Sequence, residues 1–138
     1  MTWTLLRHDE PLAVVRLGPG ADVPDWATSA TLFSVTATAT ETSLVCGAAG
    51  VPRKARHSGP WTAFAIEGPL DLALTGVLHE LLTPLAEAEV PVLTLATFDT
   101  DWILVPADAA DRAAEAWRRR GVELRPASSS SKESEGQE

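Results

Sequence analysis

The chain has 138 residues, 45% of them hydrophobic and 22% charged, which suits one compact domain or two small repeated units and excludes two large domains. Nineteen Asp and Glu against eleven Lys and Arg leave a formal net charge of −8, so most of the surface repels polyanions and nucleic acid is not an expected partner. A single cysteine, Cys46, excludes an intramolecular disulfide and a thiolate-rich zinc site.

No run approaches the ~18 apolar residues of a membrane span, and no N-terminal stretch has the layout of an export signal, so a cytoplasmic protein without membrane contact is expected. In chain order, "LAVVRL" (12–17) reads as a short strand stopped by Gly18, Pro19 and Gly20. "VPDWAT" is compatible with one helical turn after Pro24. "TLFSVTAT" (31–38) and "TSLVC" (42–46) are β-branched runs that pair as a hairpin, with Cys46 as a buried, inert thiol. The stretch 47–61 is rich in Gly and Pro and reads as a loop. Its Arg53, Lys54, Arg56 and His57 form a solvated basic cluster rather than a phosphate cradle.

From residue 62 the pattern is more regular. "TAFAIE" (62–67) is a strand. From about Asp71, Leu70, Leu74, Val77, Leu78, Leu81 and Leu85 recur at helical spacing, and Pro84 should bend or end that helix. "VPVLTLATF" (90–98) and "WILV" (102–105) form a second hairpin. Pro106 closes its strand and Asp108 can cap a following helix, within which Glu115 and Arg119 are spaced for an ion pair. Arg118, Arg119 and Arg120 suit that helix's C-terminus, Gly121 suits the left-handed stop, and "VELR" returns as a last strand.

These elements run β-α-β-β-α-β, the order of a ferredoxin-like α+β unit. We assign 61–125 to that unit and 1–60 to a degenerate related unit. Residues 126–138, "PASSSSKESEGQE", are read as a disordered tail.

The segments "FSVTATATETSLVC" and "IEGPLDLALTGVLHELLTPLAEAEVPVLTLATFDTDWILV" resemble the small tandem ACT-domain proteins of bacteria. They are also similar to one half of the CASTOR-family cytosolic arginine sensors of animals, and the likeness covers roughly residues 10–124. It implies a non-catalytic regulatory fold that holds an amino acid at an interface between ACT units or subunits and acts as an allosteric sensor, with a homodimer as the expected assembly. The ligand contacts it implies are Gly68, Pro69, Leu70 and Asp71 after the strand, and Thr97, Phe98, Thr100 and Asp101 in the hairpin. Asp101 matches the acidic ligand-binding residue of the animal sensors, whereas Asp99 falls at a variable position. Trp102 stands where Tyr or Phe is usual.

The chemistry of a zwitterion fits such a site. Gly68 permits close backbone approach, unpaired amides of a helix starting after Pro69 suit a carboxylate, and Asp101 can accept from an ammonium. The residues alone leave "DTD" open between a ligand contact and a turn held by side-chain to backbone bonds. No metal, cofactor or catalytic constellation is expected: His8, His57 and His79 are scattered, and "HE" at 79–80 lacks the second histidine of a zinc helix. An alternative to ligand binding is a dimerisation or protein-interaction module with the same fold.

Overall fold

The computed structural model describes residues 2–127. In chain order its strands are β1 (Thr4–Arg7), β2 (Leu12–Leu17), β3 (Ser34–Ala37), β4 (Thr42–Gly47), β5 (His57–Ile66), β6 (Leu93–Ala96), β7 (Asp101–Pro106) and β8 (Glu123–Pro126). Helix α1 (Val77–Glu87) connects β5 to β6, and α2 (Ala110–Arg119) connects β7 to β8. Two compact units form among the described residues: Glu10–Trp61 is one, and residues 2–9 together with 62–127 are the other.

In the Glu10–Trp61 unit the strand order is β3-β4-β2-β5. Strand β4 pairs with β2 from Leu12↔Gly47 to Leu17↔Thr42, and with β3 from Ser34↔Val45 to Ala37↔Thr42. The small core is Ala13, Val15, Ala27, Leu44 and Cys46, so the thiol is buried as expected. The expected hairpin forms, but residues 31–33 stay outside it because the Thr31 and Leu32 amides donate elsewhere, to Glu10 and Ser29. After Pro24 there is a single turn, with the Ala27 amide on the Pro24 carbonyl at 3.1 Å, and no helix.

His57–Trp61, expected as loop, is instead the first half of β5. It pairs with β2 at Val15↔His57, Val14↔Ser58 and Leu12↔Trp61, with a register shift between Leu12 and Val14. That bulge takes up Gly59 and Pro60, the two residues that read as breakers. A Cβ at Gly59 would lie 2.9 Å from the Leu12 carbonyl oxygen, so a side chain there would displace backbone.

The second unit has the order β6-β7-β5-β1-β8 and contains the β5-α1-β6-β7-α2-β8 succession. This is the ferredoxin-like α+β arrangement expected, with one addition. The N-terminal strand β1 lies between the unit's first and last strands, antiparallel to β5 at Leu5↔Ile66 and parallel to β8 at Leu5↔Leu124. Four residues are too short for a periodic signal, and only tertiary pairing places them here.

Leu5, Phe64, Ile66, Ile103 and Val105 from the sheet, Val77, Leu81 and Leu85 from α1, and Ala110, Ala113 and Trp117 from α2 make its core. Trp117 packs edge-on to Phe64 at 4.9 Å between ring centroids and donates its indole N–H to the Leu81 carbonyl at 2.8 Å. At the end of α2, Gly121 takes φ +85°, Val122 donates to the Trp117 carbonyl, and Arg119 pairs with Glu115 at 3.4 Å, as the sequence implied.

Four local readings are corrected. Helix α1 begins at Val77, not near Asp71, because residues 70–76 are held in turns by other partners. Pro84 sits buried inside α1, which continues to Glu87. Asp108 caps nothing: it lies in a 3₁₀ turn, Ala107–Ala109, and Ala109 is the N-cap of α2. Pro126 and Ala127, read as the start of a disordered tail, are instead ordered: Pro126 ends β8 and Ala127 is buried. Residues 128–138 lie outside those described.

Candidate functional site

The loop after β5 is built around Gly68. A Cβ on it would stand 2.9 Å from the Leu70 amide nitrogen and 3.2 Å from the Asp99 carbonyl oxygen, so glycine lets the loop and the β6–β7 hairpin touch. The Leu70 amide donates to that carbonyl at 2.8 Å. Beyond it, Asp71 folds the chain locally, accepting the Ala73 amide on its carboxylate at 2.9 Å and the Leu74 amide on its carbonyl at 3.0 Å.

Gly76, at φ +80°, then turns the backbone into α1. No side chain among the described residues caps the helix, and the first intrahelical bond runs from the Glu80 amide to the Gly76 carbonyl at 3.0 Å. The amides of Val77, Leu78 and His79 therefore carry the unpaired donors and partial positive charge of a helix start.

The hairpin tip is rigidly tied. The Thr97 amide and hydroxyl both donate to the Thr100 carbonyl, at 2.9 and 3.0 Å, and the Thr100 hydroxyl donates to the Ile66 carbonyl at 2.7 Å. Both threonines thus shape the tip, with their hydroxyl protons already used.

Between these pieces lies a cavity of about 250 Å³ lined by Leu70, Asp71, Leu72, Leu74, Gly76, Val77, Leu78 and the tip residues Thr97, Phe98, Asp99, Thr100 and Asp101. Six of the eight residues singled out from the sequence line it: Leu70, Asp71, Thr97, Phe98, Thr100 and Asp101. Gly68 and Pro69 do not; Gly68 acts behind the wall, through the contact it permits. The free helical amides belong to the start of α1 and not to the residues after Pro69, whose Leu70, Ala73 and Leu74 amides are engaged.

Sequence reasoning missed Leu72, Leu74 and the Gly76–Leu78 turn as lining. The one available signal was the Thr75-Gly76 pair breaking the helical run.

Three carboxylates, Asp71, Asp99 and Asp101, line the cavity without any Lys, Arg or His. Asp101 is half-buried and its carboxylate accepts no hydrogen bond among the described residues, while Asp99 is exposed. At the rim Phe98 is 81% exposed and Leu72 71%. Trp102, beside Asp101, stands outside the cavity and stacks on His8 at 4.9 Å, consistent with a packing role. Burial pushes the His8 imidazole below its ordinary value, with Asp9 opposing. His79 is exposed on α1, and no group of three or more His, Cys, Asp or Glu is placed to hold a metal among the described residues.

Residues 56–119 match the family model of the ACT domain, and residues 10–54 match a second model described as an N-terminal domain. No curated protein matches the chain. Among solved structures it is similar to a protein of Agrobacterium tumefaciens at 26% identity and TM-score 0.83, over 90% of this chain and 92% of that one. A Vibrio cholerae protein described as of unknown function and a possible transport protein aligns at 15% identity and TM-score 0.71, over 86% and 90% of the two chains. The regulatory subunit of aspartate kinase from Thermus flavus aligns at 14% identity and TM-score 0.56, over 83% and 95%. The domain match and these likenesses establish the ferredoxin-like ACT fold.

Proposed function

We propose that the protein is a non-catalytic, amino-acid-binding regulator of ACT type, working in the cytoplasm as a homodimer. In this reading the ligand is a free amino acid or similar zwitterion. One observation carries it: a single cavity combines the N-terminus of α1 and the Asp101 carboxylate, uncapped and unpartnered among the described residues, with the Asp99 carboxylate. A zwitterion presents a carboxylate and an ammonium on neighbouring atoms. The amides of Val77 and Leu78 suit the first and Asp101 the second, the latter through a charge-assisted bond about twice as strong as a neutral one.

The contact set proposed from the sequence keeps Leu70, Asp71, Phe98 and Asp101 as direct candidates. Gly68 and Pro69 stand behind the lining, whereas Thr97 and Thr100 line the cavity with their hydroxyl protons already engaged. The Glu10–Trp61 unit is proposed as a degenerate relative of the second, by the likeness to tandem ACT proteins and the CASTOR-family sensors. Binding would stabilise one subunit arrangement that a partner reads.

The test is a thermal-shift screen against the twenty amino acids. At least one should raise the melting temperature, because binding to the folded state adds RT ln(1 + [L]/Kd) of stability. Flat responses to all twenty would remove the reading. The exposed Phe98 and Leu72 at the rim favour the second reading, an interaction module with the same fold. Under it, removing Phe98 would weaken dimers while no amino acid changes stability.

A further inference from the structure

A second, smaller cavity of about 150 Å³ lies between α2, β1 and β8, away from the candidate amino-acid site, and Arg7, Arg118 and Arg125 all line it. We propose that it is a binding site for a phosphate-sized oxyanion, either free or as the phosphate group of a small ester.

The chain carries a net charge of −8, so three arginines of its eleven basic residues meeting at one small hollow run against the general field. Guanidinium is the group that matches phosphate oxygens with paired, planar N–H donors. A cavity of this size lies well below the ~300 Å³ at which pockets for whole drug-sized molecules begin, so it takes a single anionic group.

The guanidinium groups are held to different degrees. Arg7 is pre-positioned, with its guanidinium carbon 5.7 Å from the centre of the buried Phe64 ring. Its one ion pair among the described residues, to Asp111 at 3.0 Å, is with a side chain 95% exposed, and such a pair is weak enough to yield or share. Arg118, in the last turn of α2, has no acidic partner and no hydrogen-bond acceptor among the described residues. Arg125 is engaged by Glu123 at 3.1 Å and Glu67 at 3.6 Å, so it contributes field more than donors. Asp9 also lines the hollow and opposes an anion. Asp111, beside Arg7, opposes an anion as well, so Arg118, with no acidic partner among the described residues, supplies the free positive charge.

The experiment is ³¹P NMR of the full chain titrated with inorganic phosphate and, separately, with glycerol 3-phosphate, both at fixed ionic strength. The expected result is saturable broadening of the phosphorus resonance by at least one of them, the tighter binder showing whether the oxyanion is free or esterified. Arg118→Ala should weaken the binding about tenfold. Arg119→Ala, one residue along the same helix, does not line the cavity and should leave it unchanged. Because Arg118 is an exposed helix-end side chain, its variant is expected to fold, and circular dichroism checks this. Non-saturable broadening with both probes, or equal binding by Arg118→Ala and the wild type, would overturn the proposal.

Discussion

The Leu70 amide donates to the Asp99 carbonyl at 2.8 Å, and this one backbone bond fastens the loop after β5 to the tip of the β6–β7 hairpin. It ties together two segments that line the candidate amino-acid cavity. Gly68 makes it possible, because a Cβ there would press on both partners. Gly68→Ala should therefore destabilise the protein by about 1–3 kcal/mol, the usual cost of overpacking, and should also open the cavity. Urea denaturation measures the first effect. An amino-acid response weakened beyond what lost stability explains marks the second.

Asp101 and Thr100 separate binding from shape. The Asp101 carboxylate has no protein partner among the described residues, so Asp101→Ala should leave the melting temperature without ligand within about a degree and abolish any ligand-induced rise. Thr100→Val keeps the side-chain outline and removes the 2.7 Å bond to the Ile66 carbonyl, which should cost about 1 kcal/mol with or without ligand. Thermal unfolding of both variants, with and without the amino acid found by screening, checks the pair.

Trp117 ties α2 to α1 through its 2.8 Å bond to Leu81 and to β5 through its edge-on contact with Phe64. Trp117→Phe keeps an aromatic ring but loses the donor and some volume, and should cost about 1–3 kcal/mol. Trp117→Ala should cost about 3–5 kcal/mol. Chemical denaturation followed by circular dichroism orders the three proteins.

Stability should fall on acidification in two windows. Burial holds the His8 pKa below its ordinary 6.5, with Asp9 opposing. The unfolded chain therefore takes up that proton first, and stability drops from about pH 6.5 downward until the folded imidazole also titrates. His8→Phe keeps a ring against Trp102 and should flatten this window.

Glu10 accounts for the lower one. Burial works to raise its pKa, but the Thr31 and Ser29 side chains and the Thr31 and Ala30 amides outweigh burial and hold it below 4.5. Its contribution is full above the unfolded value and is lost as pH falls through the folded one. Glu10→Gln should remove that lower step and weaken the Ser29–Thr31 turn. Denaturant midpoints measured from pH 8 to pH 3 resolve both windows.

Much of the second unit is legible from residue spacing. The Leu81 and Leu85 stripe, the Glu115–Arg119 pair and the Gly121 stop all declare themselves locally, because helix periods and caps depend on neighbours in sequence. What escaped was set by contacts distant in sequence. Leu70 and Leu74 share the helical spacing of Val77, yet the Asp99 carbonyl holds the Leu70 amide and the Asp71 carbonyl holds the Leu74 amide in turns, delaying the helix to Val77. Gly59 and Pro60 read as a loop because the bulge opposite Leu12 that accommodates them cannot be seen from one strand. The β1 strand was invisible because its only reason to be extended is the gap between β5 and β8. For the cavity, the hairpin residues were legible as turn formers and as family likeness. The helical donors were placed seven residues too early for the same reason as the helix.

The central claim is that the start of α1 and the hairpin tip hold one ligand between them. A ¹H–¹⁵N correlation spectrum of the labelled protein, titrated with the amino acid that screening selects, tests it residue by residue. The account predicts that the amides of Val77 and Leu78 and those from Thr97 to Asp101 shift together, with one saturation constant. Shifts confined to other residues, or no shifts with any of the twenty, would contradict it.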